Sequence, residues 1–267
     1  MKLTEKEYRQ HPAISRSSLW LLSDSPEKFR WQMEHPEPPT PALVFGQLFH
    51  KMALQPETLH DEFAVAPVCD RRTKEGKAAY AAFEETAAGK TIVTADMVEQ
   101  AQEMCKALMA NDIARKLLAG EKEVPFFWTD DLTGEECKCR LDVLTKRGDT
   151  DIIVDLKTTD NAETDAFMRA AIKYGYDLQS AMYSEGYKAN TGKEPVFVFV
   201  AIEKKPPYAV NILQADKLVL RRGYDIFREL IGTYHYCRES GNWYGYLGRD
   251  NVINNLGLPA WLAKEVE

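Results

Sequence analysis

ECKCRLDVLTKRGDTDIIVDLKTT, residues 136–159, sets two runs rich in alternating or β-branched residues on either side of a polar turn. Side chains alternate faces along a strand, and β-branched residues suit a pleated surface. The stretch therefore predicts a β-hairpin, with ECKCRLDVLTK and IIVDLKTT as its strands. If Gly148-Asp149 is a two-residue tip, facing positions sum to 297 (148 + 149), and Asp142 falls opposite Asp155. Alternation puts Lys138, Arg140, Asp142 and Leu144 on one face, with Cys137, Cys139, Leu141 and Val143 behind them. On the partner strand, Ile153, Asp155 and Lys157 share a face, with Ile152, Val154 and Leu156 on the other. Like charges directly opposite one another destabilise a strand pair. A divalent cation would neutralise them, since magnesium is held by one or two carboxylates together with waters and phosphates. Lys157 could orient or deprotonate a metal-bound water, or steady charge developing on a phosphate oxygen. Acid-x-Lys alone usually marks a solvated face. Here the apolar run around Asp155 indicates a central strand, where a charge needs a partner.

Working outward, EVPFFWTDD (123–131) reads as a strand before the hairpin, joined to it by LTGEE. Residues 161–190 have helical spacing in two pieces, broken near Tyr174-Gly175-Tyr176. PVFVFVAIEKK (195–205) is a buried strand, Pro206-Pro207 turns the chain into YAVNILQ, and a long helix covers about 215–239. The tail, GNWYGYLGRDNVINNLGLPAWLAKE, is rich in aromatic residues and glycine, and Trp243, Tyr244 and Tyr246 in it read as core or subunit contacts. Upstream, ISRSSLWLLSDSPEKFRWQMEH (14–35) predicts two short helices, the second capped by Ser25 with Pro26 at its first position. HPEPPTPA (35–42) is a stiff connector, and ALVFGQLFHKMALQPE (42–57) a helix with His50 in its middle turn. Residues 61–90 read as a basic loop around CDRRTKEGK, and 94–119 as one helix. The expected class is α+β, or mixed α/β: a central, mostly antiparallel sheet flanked by helices. One domain is expected over 1–267, with a helical N-terminal part to about 120 and a sheet-and-helix core beyond.

Composition narrows the function. With 45% hydrophobic and 28% charged residues, the chain is an ordinary globular one, long enough to bury a core without staples. No apolar run nears the ~20 residues that cross a bilayer, and MKLTEKEYRQHPAIS lacks the apolar centre of a secretory signal, so a cytoplasmic protein with no membrane partner is expected. Five cysteines, with only Cys137 and Cys139 close together, make a disulfide framework or zinc site improbable; those two read as small apolar fillers of a strand. The 34 basic and 41 acidic residues give −7, so any DNA must meet a locally basic face.

R-L-D at 140–142 and, twelve residues on, D-L-K at 155–157 resemble the PD-(D/E)xK nuclease superfamily. His50 in V-F-G-Q-L-F-H-K resembles the G-x-x-x-H helix of its RecB-like branch, and Gln179 and Tyr183 its Q-x-x-x-Y helix. The serine-rich opening and the W-Y-G-Y … L-P-A-W tail are most similar to the RecE-type (exonuclease VIII) nuclease domains, over nearly the whole chain. Asp155 stands where many members have Glu. The resemblance implies a magnesium-dependent exodeoxyribonuclease acting 5′→3′ and processively on double-stranded DNA ends. It also implies a ring-shaped homotetramer and a recombination role beside a single-strand annealing protein.

On this reading Asp142 and Asp155 bind magnesium, with the carbonyl of Leu156 and the ring of His50 as further ligands; a histidine ligand would suit manganese also. Lys157 sits on the attacking water. Gln179 and Tyr183, four apart on one helix face, orient Lys157 or touch the DNA backbone. Glu123 is a further acid near the metals. Arg16, with Ser15 and Ser17, is the candidate anchor for a 5′ phosphate, and Arg71, Arg72, Lys74 and Lys77 could track the duplex. The alternatives are an endonuclease on the same fold, or a DNA-binding module without catalysis. The cysteine positions disfavour an iron–sulfur nuclease of the Cas4 or AddB kind.

Overall fold

The computed structural model describes residues 5–258. Its N-terminal part contains α1 (Glu5–Gln10), β1 (Ile14–Ser15), α2 (Arg16–Leu22), α3 (Pro26–Glu34), α4 (Pro41–Leu54), α5 (Leu59–Glu62), β2 (Phe63–Val65), α6 (Lys74–Thr86), β3 (Thr91–Val93), α7 (Ala95–Ala110) and α8 (Asp112–Leu117). Then follow β4 (Glu121–Thr129), β5 (Glu136–Arg147), β6 (Thr150–Thr159), α9 (Thr164–Tyr174), α10 (Tyr176–Thr191), β7 (Val196–Glu203), β8 (Val210–Gln214) and α11 (Lys217–Ser240). Side-chain oxygens mark the helix starts: Ser25 accepts from Lys28 N–H, Thr40 from Leu43 N–H and Thr94 from Met97 N–H. Two expectations change. The span 61–90 is not all loop, because Thr73 caps α6, a helix whose only buried residue is Gly76 and whose apolar signal is correspondingly weak. The single helix over 94–119 is two, because Asn111 ends α7 and its side chain caps α8 through Ile113 and Ala114 N–H. The end of the tail, from 259, lies outside the described residues.

The main sheet is mixed. β4–β5, β5–β6 and β7–β8 are antiparallel, whereas β6–β7 and β1–β5 are parallel. The parallel β6–β7 pair needs a long crossover, which α9 and α10 supply. β4 follows one edge of β5 from Glu136 to Leu144. β6 takes the other edge only from Val143 to Arg147, and β1 joins at Cys137 and Lys138, where β6 has left it. The two strands of the hairpin therefore part at Asp142, and the N-terminal segment occupies the opening.

Helices α4 and α7 pack on one face around Leu48, Phe49, Met104 and Leu108, with Val143, Val154 and Leu156 from the sheet. Leu141, Ile153, Phe197 and Phe199 pack on the other with α9 and α10 residues Phe167 and Tyr187. The hairpin register is as expected, Val143 facing Val154 and Leu144 facing Ile153. The expected alternation does not run through. Leu141 and Leu144 belong to the same cluster, and Val143 to the opposite one. Lys138 and Arg140 thus face away from Leu144, stacking their charges on the Tyr8 ring. The reversal falls at Asp142 and, across the sheet, at Glu123, whose φ of 56° lies in the left-handed region that a side chain seldom adopts.

Candidate metal centre

Glu123, Asp142 and Asp155 occupy one row across β4, β5 and β6, yet none of the three is paired to its neighbour in the ladder. Where the ladder lapses, Asp142 Oδ2 accepts the N–H of Leu156 at 2.8 Å. His50, carried on α4, contacts the Leu156 carbonyl through Nε2 and places Nδ1 3.6 Å from Asp142 Oδ2. A carbonyl only accepts, so Nε2 carries the proton in this arrangement. Lys157 Nζ lies 2.6 Å from Asp155 Oδ2 and 5.0 Å from the centre of the Tyr176 ring. Gln179, on α10, donates its amide to Asp155 Oδ1. Asp155 is 1% exposed, and its Oδ2 has the ion pair with Lys157 but no hydrogen bond.

Burial pushes the Asp155 carboxyl up to about 6, Lys157 opposing the rise and Asp142 adding to it. Burial likewise lifts Glu123 to about 8, with Asp142 contributing, even though Arg140 Nε lies 2.6 Å from it. For Lys157, burial favours the neutral amine, but the carboxylates of Asp155 and Asp142 outweigh it and hold the ammonium above its ordinary value. Three acids thus stand in a row, Glu123 against Arg140, Asp155 against Lys157, and Asp142 between them, and are the candidates to hold a cation. As the side chains stand, no three or more His, Cys, Asp or Glu groups among the described residues converge closely enough to hold an ion. The donor set nevertheless fits one. Two carboxylates and a backbone carbonyl are hard oxygen ligands of the kind magnesium prefers, and the buried Asp155 Oδ2 among them is met by the Lys157 ammonium alone.

The site opens into a cleft of about 1300 Å³. Its walls include Arg9, Arg16, Arg30, Lys51, Lys138 and Arg140 as well as Lys157, against the acids Glu34, Glu62, Glu123 and Asp142. A chain of net charge −7 thus has a cleft with more basic than acidic residues. Arg16 reaches the cleft from the start of α2: one Nη donates to the Tyr174 carbonyl, the guanidinium lies 5.5 Å from the Trp20 ring centre, and Nε is buried without a partner. Ser15 Oγ lies 3.0 Å from both Ser17 and Ser18 Oγ. Tyr183 lines the same cleft, and burial holds its phenol well above the usual range. Arg71 and Arg72 do not line it. Arg72 forms a two-pronged ion pair with Asp70, and Arg71 stacks 3.9 Å from the Tyr80 ring centre. Lys74 and Lys77 lie on α6, also away from the lining.

A profile for the family described as "PDDEXK-like domain of unknown function (DUF3799)" matches residues 15–255. The chain belongs to that family. Among solved structures, this PDDEXK-like chain is similar to a protein of Eubacterium rectale described as a "putative exonuclease", at a TM-score of 0.64 and 16% identity over 98% of both chains. At that identity the likeness establishes the fold, a mixed sheet flanked by helices. The structure of SSO0001 is 14% identical over 68% of this chain and 84% of its own, with a TM-score of 0.30 that carries no argument. No curated protein matches. Among the described residues, no helix is long and apolar enough to cross a membrane.

Three participants escaped sequence reading. Tyr176 was visible only as part of a helix break, although it lies beside Lys157. Lys138, which alternation only sets beside Arg140 and Asp142 on one strand face, has its ammonium held by the carbonyls of Tyr8, Arg9 and His11 at 2.8, 3.4 and 2.7 Å. Tyr8 sits under Lys138 and Arg140 at 5.0 and 4.9 Å. Only the unusual K-x-R on a strand otherwise lined by cysteines and leucine could have signalled these contacts.

Proposed function

We propose that the protein is a magnesium-dependent exodeoxyribonuclease, able to use manganese, that degrades double-stranded DNA from its ends. The observation that supports this reading is that Asp142, bonded to the Leu156 N–H, and the Asp155–Lys157 ion pair both stand where β5 and β6 part, beside a cleft with basic walls. Asp142, Asp155 and Leu156 would hold the cation, with His50 alongside and Glu123 as a further acid. When bound, it would polarise the scissile phosphate and lower the pKa of the attacking water. Asp142 and Asp155 would keep the cation at the parting of the strands, and Gln179 fixes the rotation of the Asp155 carboxylate. Lys157, held as an ammonium, acts by donating hydrogen bonds to the water and to the phosphate oxygens rather than by taking a proton. A water molecule attacks phosphorus, giving its proton to solvent, as the bond to the 3′ oxygen breaks and that oxygen takes up a proton; the attacked phosphate stays on the 5′ carbon of the new strand end, and the released nucleotide keeps the 5′ phosphate it already carried.

Arg16, assisted by Ser15 and Ser17, is the anchor for a terminal 5′ phosphate, supported by its buried and unpartnered Nε. Tyr183 closes the cleft beside Asp155. The 5′→3′ direction, processivity, a ring-shaped homotetramer, a role in recombination and an annealing-protein partner follow the RecE-like resemblance. The test is digestion of end-labelled linear duplex against covalently closed circles, with magnesium and with EDTA. Magnesium-dependent release of labelled 5′-mononucleotides from linear DNA alone is expected. Cutting of closed circles would make the protein an endonuclease, and binding without cleavage would leave a DNA-binding module.

A further inference from the structure

Lysine carries its ammonium on a flexible four-carbon stem, so the place of Lys157 in the site is set by whatever meets the charge. Two groups meet it. Asp155 Oδ2 lies 2.6 Å from Nζ, and the centre of the Tyr176 ring lies 5.0 Å away. The Lys157 side chain is 16% exposed, and an ammonium over an aromatic face is held more firmly when water is excluded than at an open surface.

The ring has little freedom of its own. Tyr176 is the first residue of α10, and its ring centre lies 5.9 Å from that of Phe167 on α9 and 6.0 Å from that of Phe199 on β7. Both phenylalanines are buried. The Tyr174 ring is a third neighbour, also at 6.0 Å. Lys157 and Tyr176 both line the cleft.

The two contacts differ in what can displace them. Gln179 donates to Asp155 Oδ1, so Oδ2, where the ammonium sits, is the oxygen open to a cation. A hard divalent cation seeks carboxylate oxygen and has no use for a ring face. Once Oδ2 is shared or taken, the ring is the contact that remains to the ammonium.

We propose that Tyr176 is the positioning residue for Lys157: its ring, rather than Asp155, keeps the ammonium aimed into the cleft during cleavage, and its hydroxyl takes no part. This role rests on the nuclease reading of the site.

Single-turnover cleavage of linear duplex in magnesium by the full chain tests it, with Tyr176→Leu and Tyr176→Phe made alone and with Lys157→Met. Tyr176→Leu should slow cleavage about tenfold, the weight of one desolvated cation–π contact, with duplex affinity unchanged. Tyr176→Phe should recover the rate. Added to Lys157→Met, Tyr176→Leu should cost nothing further, because a residue that acts through the ammonium then has nothing to act on. A further loss in that background would make Tyr176 a packing residue, and failure of phenylalanine to recover the rate would give the hydroxyl a direct part; either overturns the proposal. A second readout needs no cleavage. In EDTA, the Lys157 ε-methylene protons, assigned by their loss in Lys157→Met, should be shifted upfield by the ring in wild type and Tyr176→Phe and return to their ordinary position in Tyr176→Leu. Unshifted protons in wild type overturn the contact itself. A wild type that cuts no DNA overturns the nuclease reading and this role with it, and the spectrum then tells that failure from loss of the contact.

Discussion

Asp142 accepts the backbone N–H of Leu156 at 2.8 Å, a bond from a side chain of β5 to the main chain of β6. It stands where the ladder bonds between the two strands have stopped, and so it fixes the width of the opening between them. The same carboxylate supplies charge to the candidate site. Its structural and chemical contributions can be separated by mutation.

Asp142→Asn keeps an acceptor for Leu156 N–H and removes the charge. DNA cleavage should fall at least about 100-fold, the scale of losing one electrostatic stabiliser of a transition state, while the urea midpoint stays close to wild type. Asp142→Ala also leaves a backbone donor unmatched, which costs about 1–3 kcal/mol where that donor is buried. Wild-type cleavage by the asparagine variant would remove Asp142 from the site.

Asp155 predicts a pH dependence of stability when cations are removed. Burial raises its carboxyl from 3.8 to about 6, so the folded chain binds this proton more tightly than the unfolded chain. The resulting stabilisation is complete below pH 3.8 and is lost as pH rises through 6. In EDTA the slope of melting temperature against pH over that window should be more negative for wild type than for Asp155→Asn. Added magnesium should raise the wild-type midpoint above pH 6 and leave the variant unmoved; titration calorimetry on the same samples gives the binding directly.

Lys157→Met removes the ammonium and retains much of the stem. Single-turnover cleavage should drop about 100-fold or more, with duplex affinity changed far less, since the interaction is required in the transition state. Equal losses in binding and rate would instead make Lys157 a DNA-contact residue.

Arg16→Ala should abolish discrimination between 5′-phosphorylated and 5′-hydroxyl duplex ends, measured as the ratio of kcat/KM on the two substrates. Arg16→Lys should not restore it, because a lysine lacks the planar fork that can hold the Tyr174 carbonyl and a phosphate together.

Lys138→Met leaves the Tyr8, Arg9 and His11 carbonyls without their shared donor. A loss of about 1–3 kcal/mol is expected in urea unfolding, and limited proteolysis should cut earlier near residues 8–13. Unchanged proteolysis would show that β1 keeps its place without this cage.

The hairpin was legible because its apolar runs and Gly148 fix both the period and the turn, and the register from Val143 opposite Val154 to the tip followed from them, whereas the expected pairing of Asp142 with Asp155 lies just past the point where the strands part. The reversal at Glu123 and Asp142 was not legible. Alternation is a local rule, and here it yields to long-range packing, with β1 arriving from more than a hundred residues upstream to take the edge that β6 leaves. Arg16 and Gln179 could be named from pattern, but what each one holds is set by tertiary contact. The place of the basic segment at 69–77, outside the cleft lining, was not legible for a related reason: charge density shows in sequence, while the Asp70 and Tyr80 partners that engage Arg72 and Arg71 depend on how the loop turns onto α6.

Gly175 joins α9 to α10 with φ of 65°, and Trp20 lies so close that a methyl group there would strike its ring. On one side of this joint, the Tyr174 carbonyl holds Arg16; on the other, α10 delivers Gln179 to Asp155. On the proposed reading, in which Arg16 grips a strand terminus and Asp155 helps to hold the cutting cation, the distance between the two is set by a tight, side-chain-free corner with no slack. An enzyme working in that way would advance along DNA in strides of constant length, and lengthening the corner by one residue would put grip and cut out of step.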